Sequence, residues 1–258
     1  MKGLITFCGL IMAAGVFVYG GSFTVTVLYD NTVHIEGTQS DWGFACLVEG
    51  DKGSLLFDTG TKPHILANNA KKLGVDLGSI RRVMISHAHA DHFGGLGAVL
   101  RAAPKGLVVY VPPRMPARVL QEIAASGGRA VPVQDAVDLG GGMRSTGVMN
   151  GRIPEQGLIL ETGKRKVLIT GCAHPGIVEM VRRARELTGA AMDAVIGGFH
   201  LARRSAEVVA GIIADFRSLG VRRAGPTHCS GEKAIAAFRK AYGEDFLPMG
   251  VGRIVKFE

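Results

Sequence analysis

The sequence predicts a layered α/β protein. Short apolar strands alternate with amphipathic helices along most of the chain, as in a sheet flanked by helices. The polar side chains with chemical potential fall in loops that follow those strands, where ligands collect in such folds. At 258 residues, 47% hydrophobic and 20% charged, the chain has enough apolar side chain to bury a full core.

Residues 23–29 alternate and read as a strand. Residues 43–49 and 54–57 form a hairpin across Gly50-Asp51-Lys52-Gly53. A helix fits residues 64–73, with Pro63 near its start and Gly74 past its end. A strand at 82–85, a helix at 96–102, a strand at 107–111 and a helix at 117–125 follow, the last closed by Gly127-Gly128. Residues 140–152 are glycine-rich without a clear period and read as a loop. The theme then resumes with a strand at 167–170 and a helix at 177–187. That helix has Ile177, Met180, Val181, Ala184 and Leu187 on one face, and Gly189 ends it. Residues 194–196 are strand, and Ser205 caps a helix running to Leu219. A short strand leads to the loop 226–231, a helix at 232–241 and a last strand at 253–257. No repeat or long linker interrupts this order, so residues 22–258 read as a single domain.

The first 21 residues differ. Lys2 is the only charge before Asp30, and an apolar run ends in Gly20-Gly21-Ser22. This reads as a secretory signal or an N-terminal membrane anchor, and hence as an exported, periplasmic or membrane-anchored protein. The alternative is a buried N-terminal strand or helix in a cytoplasmic protein. Of four cysteines, Cys8 lies in this leader. The remaining Cys46, Cys172 and Cys229 are an odd number, which argues against a purely disulfide framework. Cys172 and Cys229 each sit beside a histidine and are open to metal ligation, mutual pairing or simple packing. The net charge of +8 comes with paired basic residues such as Arg81-Arg82, Arg203-Arg204 and Arg222-Arg223, without interleaved aromatics. That pattern points to solvated faces or a small anionic substrate, not to nucleic acid.

The chemistry concentrates in Ser86-His87-Ala88-His89-Ala90-Asp91-His92, three imidazoles and a carboxylate after a strand. Six of the eight histidines follow predicted strands: His87, His89, His92, His174, His200 and His228. One site needs three protein ligands, and the first cluster alone supplies four, so two metals are expected. Histidine with carboxylate suits Zn²⁺, Fe²⁺ or Mn²⁺. Two such ions can share and activate a hydroxide. Asp58, in Leu56-Phe57-Asp58-Thr59-Gly60, also ends a strand and can orient a metal-bound histidine from behind.

The string His87–His92 together with Asp58-Thr59-Gly60 resembles the signature of the metallo-β-lactamase superfamily. Leu28-Tyr29-Asp30-Asn31-Thr32, Asp41-Trp42-Gly43-Phe44, Gly171–Ile177, Ile196–Leu201 and Pro226–Gly231 resemble one group within it. That group comprises metal-dependent hydrolases and includes the archaeal synthases that join a dihydropterin to a ribofuranosylaminobenzene phosphate. The resemblance spans residues 22–258 and is weakest over 112–152. It implies an αββα four-layer sandwich of two mixed β-sheets flanked by helices, with the metals at the sheet edges. It implies that His87 and His89 hold one metal, Asp91 and His92 the other, and that His228 is the last histidine ligand. His174 is the favoured further ligand, with Asp58 and Cys172 behind the ligands. His200 becomes either a ligand or, as the favoured reading, a substrate-facing acid and, with Asp91, a candidate catalytic residue. Arg203, Arg204 and amides at the start of the helix after Gly176 would meet an anionic group. The expected activity is hydrolysis of an ester, lactone, thioester or phosphoester with two zinc ions, manganese or iron being the alternatives. A pterin-joining transferase and a non-catalytic or redox member of the fold are the competing readings.

Overall fold

Alternating and continuous apolar runs pair into two sheets in the computed structural model, which describes residues 21–258. The first sheet is built from β1 (Phe23–Tyr29), β2 (Ala45–Gly50), β3 (Gly53–Phe57), β4 (Arg82–Met84), β5 (Val108–Val111) and β6 (Arg129–Pro132). The second contains β7 (Val137–Gly140), β8 (Met143–Ser145), β9 (Leu158–Glu161), β10 (Lys166–Thr170), β11 (Ala194–Gly198) and β12 (Arg223–Thr227). The last strand, β13 (Ile254–Phe257), returns to the first sheet and pairs antiparallel with β1. Both sheets are mixed. β3 to β6 run parallel, as do β10 to β12, and the remaining pairs are antiparallel.

Helices α1 (Pro63–Lys72), α2 (Ala90–Phe93), α3 (Leu96–Ala102) and α4 (Ala117–Ala125) belong to the first sheet's side. α5 (Ile177–Thr188), α6 (Ala206–Ser218) and α7 (Glu232–Tyr242) belong to the second's. Three apolar cores separate the resulting four layers. Leu66, Val99 and Ile123 pack under the first helices. Val25, Val27 and Phe57 meet Leu158, Leu160, Val167 and Ile196 between the sheets. Met180, Val181, Phe216 and Phe238 pack outside the second sheet. The fold is the αββα sandwich, and the parallel strands explain its polarity. Each parallel strand must be followed by a crossover, so their carboxyl ends carry loops on one rim.

One sequence expectation needs correction. Residues 137–145 form a β7–β8 hairpin instead of opening a loop. Gly140, Gly141 and Gly142 all have positive φ and supply the turn, while Leu139, Met143 and Ser145 are buried. The flanking strands are too short to show a period. β9 escaped notice for a different reason: Leu158, Ile159, Leu160 and Glu161 are all buried, so nothing alternates. The leader or anchor expectation falls on residues 1–20, outside the described residues. Among those described, no helix is long and apolar enough to cross a membrane.

Candidate metal centre

The chain leaves β4 through Ile85 and Ser86 and presents His87, fully buried, before turning into α2, whose first turn carries Asp91. His87 Nδ1 lies 2.9 Å from Ser86 Oγ, and its Nε2 lies 3.0 Å from His89 Nδ1. Asp58, just past β3, holds this turn. Its Oδ1 accepts the Ser86 amide at 2.7 Å, and its Oδ2 accepts Ser86 Oγ and pairs with His92 Nδ1, both at 2.7 Å. Burial opposes a charged His92, but the Asp58 carboxylate raises its pKa to about 9. Burial keeps His87 well below the usual imidazole value and lowers His174 to about 4, leaving neutral rings able to ligate.

β10 ends in Gly171-Cys172-Ala173-His174. This loop wraps a buried carboxylate that the sequence did not reveal. Glu155 Oε1 accepts the amides of Gly171, Cys172 and Ala173, and Oε2 accepts that of His174, all within 3.1 Å. Burial raises the Glu155 pKa, and these four donors restrain the rise. These amides therefore already bind an internal anion.

β12 delivers His228, whose Nδ1 lies 3.0 Å from Asn31 Oδ1. Asn31 returns a bond from Nδ2 to the His228 carbonyl and accepts the Gly43 amide. Asp30 beside it is buried and accepts from Thr227 Oγ1. Burial raises its pKa to about 6. Trp42 Nε1 donates to Asp91 Oδ2 at 2.9 Å. Among the described residues, the non-glycine positions with left-handed φ are Asp58, Ala173, His200 and His228. All four stand in loops that follow strands at the rim carrying the donor atoms.

The result is two neighbouring groups of converging donor atoms and a third that overlaps them. His87, His89 and His174 form the first, Asp91, His92, Cys172 and His228 the second, and Cys172, His174 and His200 the third. In the second, His92 Nε2 is 3.2 Å from Cys172 Sγ and 3.6 Å from Asp91 Oδ2, and His228 Nε2 is 3.3 Å from the same oxygen. His174 Nε2 is buried without a hydrogen-bond partner, and His228 Nε2 is buried beside the Asp91 carboxylate. Inward-facing imidazole nitrogens beside a carboxylate and a thiol fit a divalent metal.

The structure thus brings together His87, His89, Asp91, His92, His174 and His228, with Asp58 behind them. Cys172 departs from its expected place. Its Sγ lies among the donor atoms and not behind them, because the β10 loop carries it directly onto His92. Cys46, Cys172 and Cys229 are all free and buried. His200 stands with its ring 4.4 Å from that of His174. A hydrogen bond to Cys229 raises its pKa. It lines a cavity of about 450 Å³ with Trp42, Arg203 and Arg204. Glu155 was missed outright. Asn31 and Trp42 lay within strings that resembled the group, but nothing in those strings spoke of their contacts.

Known proteins share this sequence pattern and fold. The sequence model of the metallo-beta-lactamase superfamily matches residues 43–207. A Methanocaldococcus jannaschii protein named 7,8-dihydropterin-6-methyl-4-(beta-D-ribofuranosyl)-aminobenzene-5'-phosphate synthase is 30% identical, over 84% of this chain and 90% of its own. A solved structure, Tm1679, described as a metal-dependent hydrolase of the beta-lactamase superfamily, is 29% identical. It covers 92% of this chain and 98% of its own at a TM-score of 0.75. A diphosphatase of the PhnP family shares the fold at 17% identity and a TM-score of 0.62, with 92% of this chain and 97% of its own covered. With its family signature, its matched family model and its αββα sandwich, the chain belongs to the metallo-beta-lactamase superfamily.

Proposed function

We propose that this protein is a hydrolase that uses two zinc ions to cleave an ester of a small anionic substrate, a carboxylic ester, lactone, thioester or phosphoester. The observation that carries the reading is the pair of adjacent donor groups, in which His87, His92 and His228 are each fixed at one ring nitrogen by Ser86, Asp58 and Asn31. His87, His89 and His174 would hold one ion, and Asp91, His92, Cys172 and His228 the other. The thiol of Cys172 favours zinc over manganese, because soft sulfur ligands select it. Bound zinc supplies Lewis acidity and a hydroxide available at neutral pH. The chain's own residues do the rest. Arg203 and Arg204 face the cavity and attract the anion. His200 stands at the same cavity, where its ring can pass a proton to a leaving group. Asp58, Ser86 and Asn31 hold the ligating rings in place.

One observation favours a second reading. The methanogen relative named as a synthase is 30% identical over most of both chains, so transfer instead of hydrolysis fits the same residues. The apolar leader read in the sequence argues for the hydrolase, since export would separate the enzyme from cytoplasmic pterin precursors.

The test is metal analysis of the purified protein followed by a panel of chromogenic phosphodiesters, lactones and thioesters. Two zinc ions per chain and turnover of one class are expected, with the ion of the His87, His89 and His174 group and the turnover lost in His89→Ala. No turnover with zinc, manganese or iron loaded would reject hydrolysis.

A further inference from the structure

A second cavity of about 240 Å³ adjoins the site between α5 and α6, and the chemistry above makes no use of it. Ile177 and Val178 from the first turn of α5 line it, with Leu201 and with Val208 and Ile212 from α6. His174 and His200 line it as well, so it is continuous with the donor groups. Arg204 belongs to both this cavity and the 450 Å³ one. The carboxylate of Glu179, also on its lining, is paired with Arg182 at 3.5 Å. Val208 is 46% exposed and Trp42 55%, and each lines one of the two cavities that share His200. Apolar side chains left open beside a reactive centre are covered when an apolar ligand arrives.

We propose that this cavity binds an alkyl or acyl arm of the substrate. The substrate is then an amphiphile. Its anionic reacting group lies at the histidines and Arg204, and its apolar arm runs between α5 and α6. The volume suits an arm of about eight groups of water-molecule size. Val178, Val208 and Ile212 then set the preferred arm length. The inference rests on the hydrolase reading only for where the reacting group lies.

The test measures binding, not turnover, of ethyl-, butyl- and hexylphosphonate to the zinc-loaded protein by calorimetry. A fully buried methylene contributes about fourfold in affinity. Since the cavity is partly open, hexylphosphonate is expected to bind at least tenfold tighter than ethylphosphonate. A ratio below five, or no binding of either, overturns the proposal. Val208→Asp and Val178→Asp, both at positions not fully buried, should each cut the ratio at least threefold, and an unchanged ratio in both overturns it too. The ratio is internal to each variant, so a general loss of affinity does not imitate the effect. Chain-length-dependent binding without turnover of any ester would leave the cavity assignment standing and remove the hydrolase. Turnover with a flat series would do the reverse.

Discussion

A histidine has two ring nitrogens, and in this site neighbouring side chains fix one so that the other is aimed. Asp58 does this for His92, Ser86 for His87 and Asn31 for His228. Asp58→Asn separates orientation from backbone strain, since asparagine tolerates the φ of 56° at this position but its amide nitrogen cannot accept from His92. Zinc affinity of the Asp91, His92, Cys172 and His228 group should fall about 10- to 100-fold, read by competition with a chromogenic chelator. Affinity within twofold of the native protein would deny Asp58 this role. At this scale the sequence was readable where donors cluster along the chain. His87 to His92 put four ligands, three histidines and an aspartate, within six residues, and no packing need explains that. Glu155 stayed hidden because its partners are backbone amides 16 to 19 positions away, which have no residue signature.

Elements position these residues by close backbone approach. The turn between α2 and α3 rests on the loop after β3, through Thr59 N to His92 O at 2.7 Å and Gly95 N to Gly60 O at 2.9 Å. A Cβ on Gly95 would stand 1.9 Å from the Thr59 carbonyl oxygen, and one on Gly94 2.2 Å from that of Thr61. Gly95 has an ordinary φ of −75°, so the requirement is purely steric. Gly95→Ala should therefore cost about 2–4 kcal/mol and lower Tm by about 5–15 °C in a thermal melt. An unchanged Tm would mean that the two loops are not tightly packed. The longer helices were legible because each shows a buried stripe and an end signal, as in Ser205, whose Oγ accepts the Val208 amide before α6. The β7–β8 hairpin and β9 were not, being either too short or buried on both faces.

Across the whole molecule, the second sheet is tied at one end by charge and carries the site at the other. At the start of β11, Asp193 bonds Arg165 at 2.6 Å and Arg222 at 2.8 Å, and also pairs with Arg223, so it joins segments flanking three strands. Burial alone would raise the Asp193 pKa, but hydrogen bonds from Arg222, Arg223 and Arg165 outweigh it and hold the pKa below the usual value. A depressed folded-state pKa stabilises above the unfolded value near 4 and is lost as the pH falls through the folded one. Asp193→Asn should thus lower stability by about 1–3 kcal/mol at neutral pH, allowing for the half-exposed arginines. The difference in Tm from the native protein should shrink as the pH falls below about 4. A difference independent of pH would exclude this ionic tie. The basic pairs that read as solvated faces thus include members with structural partners. Arg82 likewise reaches the Leu139 carbonyl of the opposite sheet. Pair partners distant along the chain leave no local pattern, whereas the order of strands, loops and helices does, and so the layered architecture was legible when these ties were not.

If the two donor groups, one including Cys172, each hold a metal as proposed, a crystal structure of zinc-loaded protein with anomalous scattering recorded at the zinc edge will show both. Two peaks are predicted, one at bonding distance from His87, His89 and His174, and one from Asp91, His92, Cys172 and His228. A single peak, or two peaks with the Cys172 sulfur outside bonding distance of both, would contradict the account.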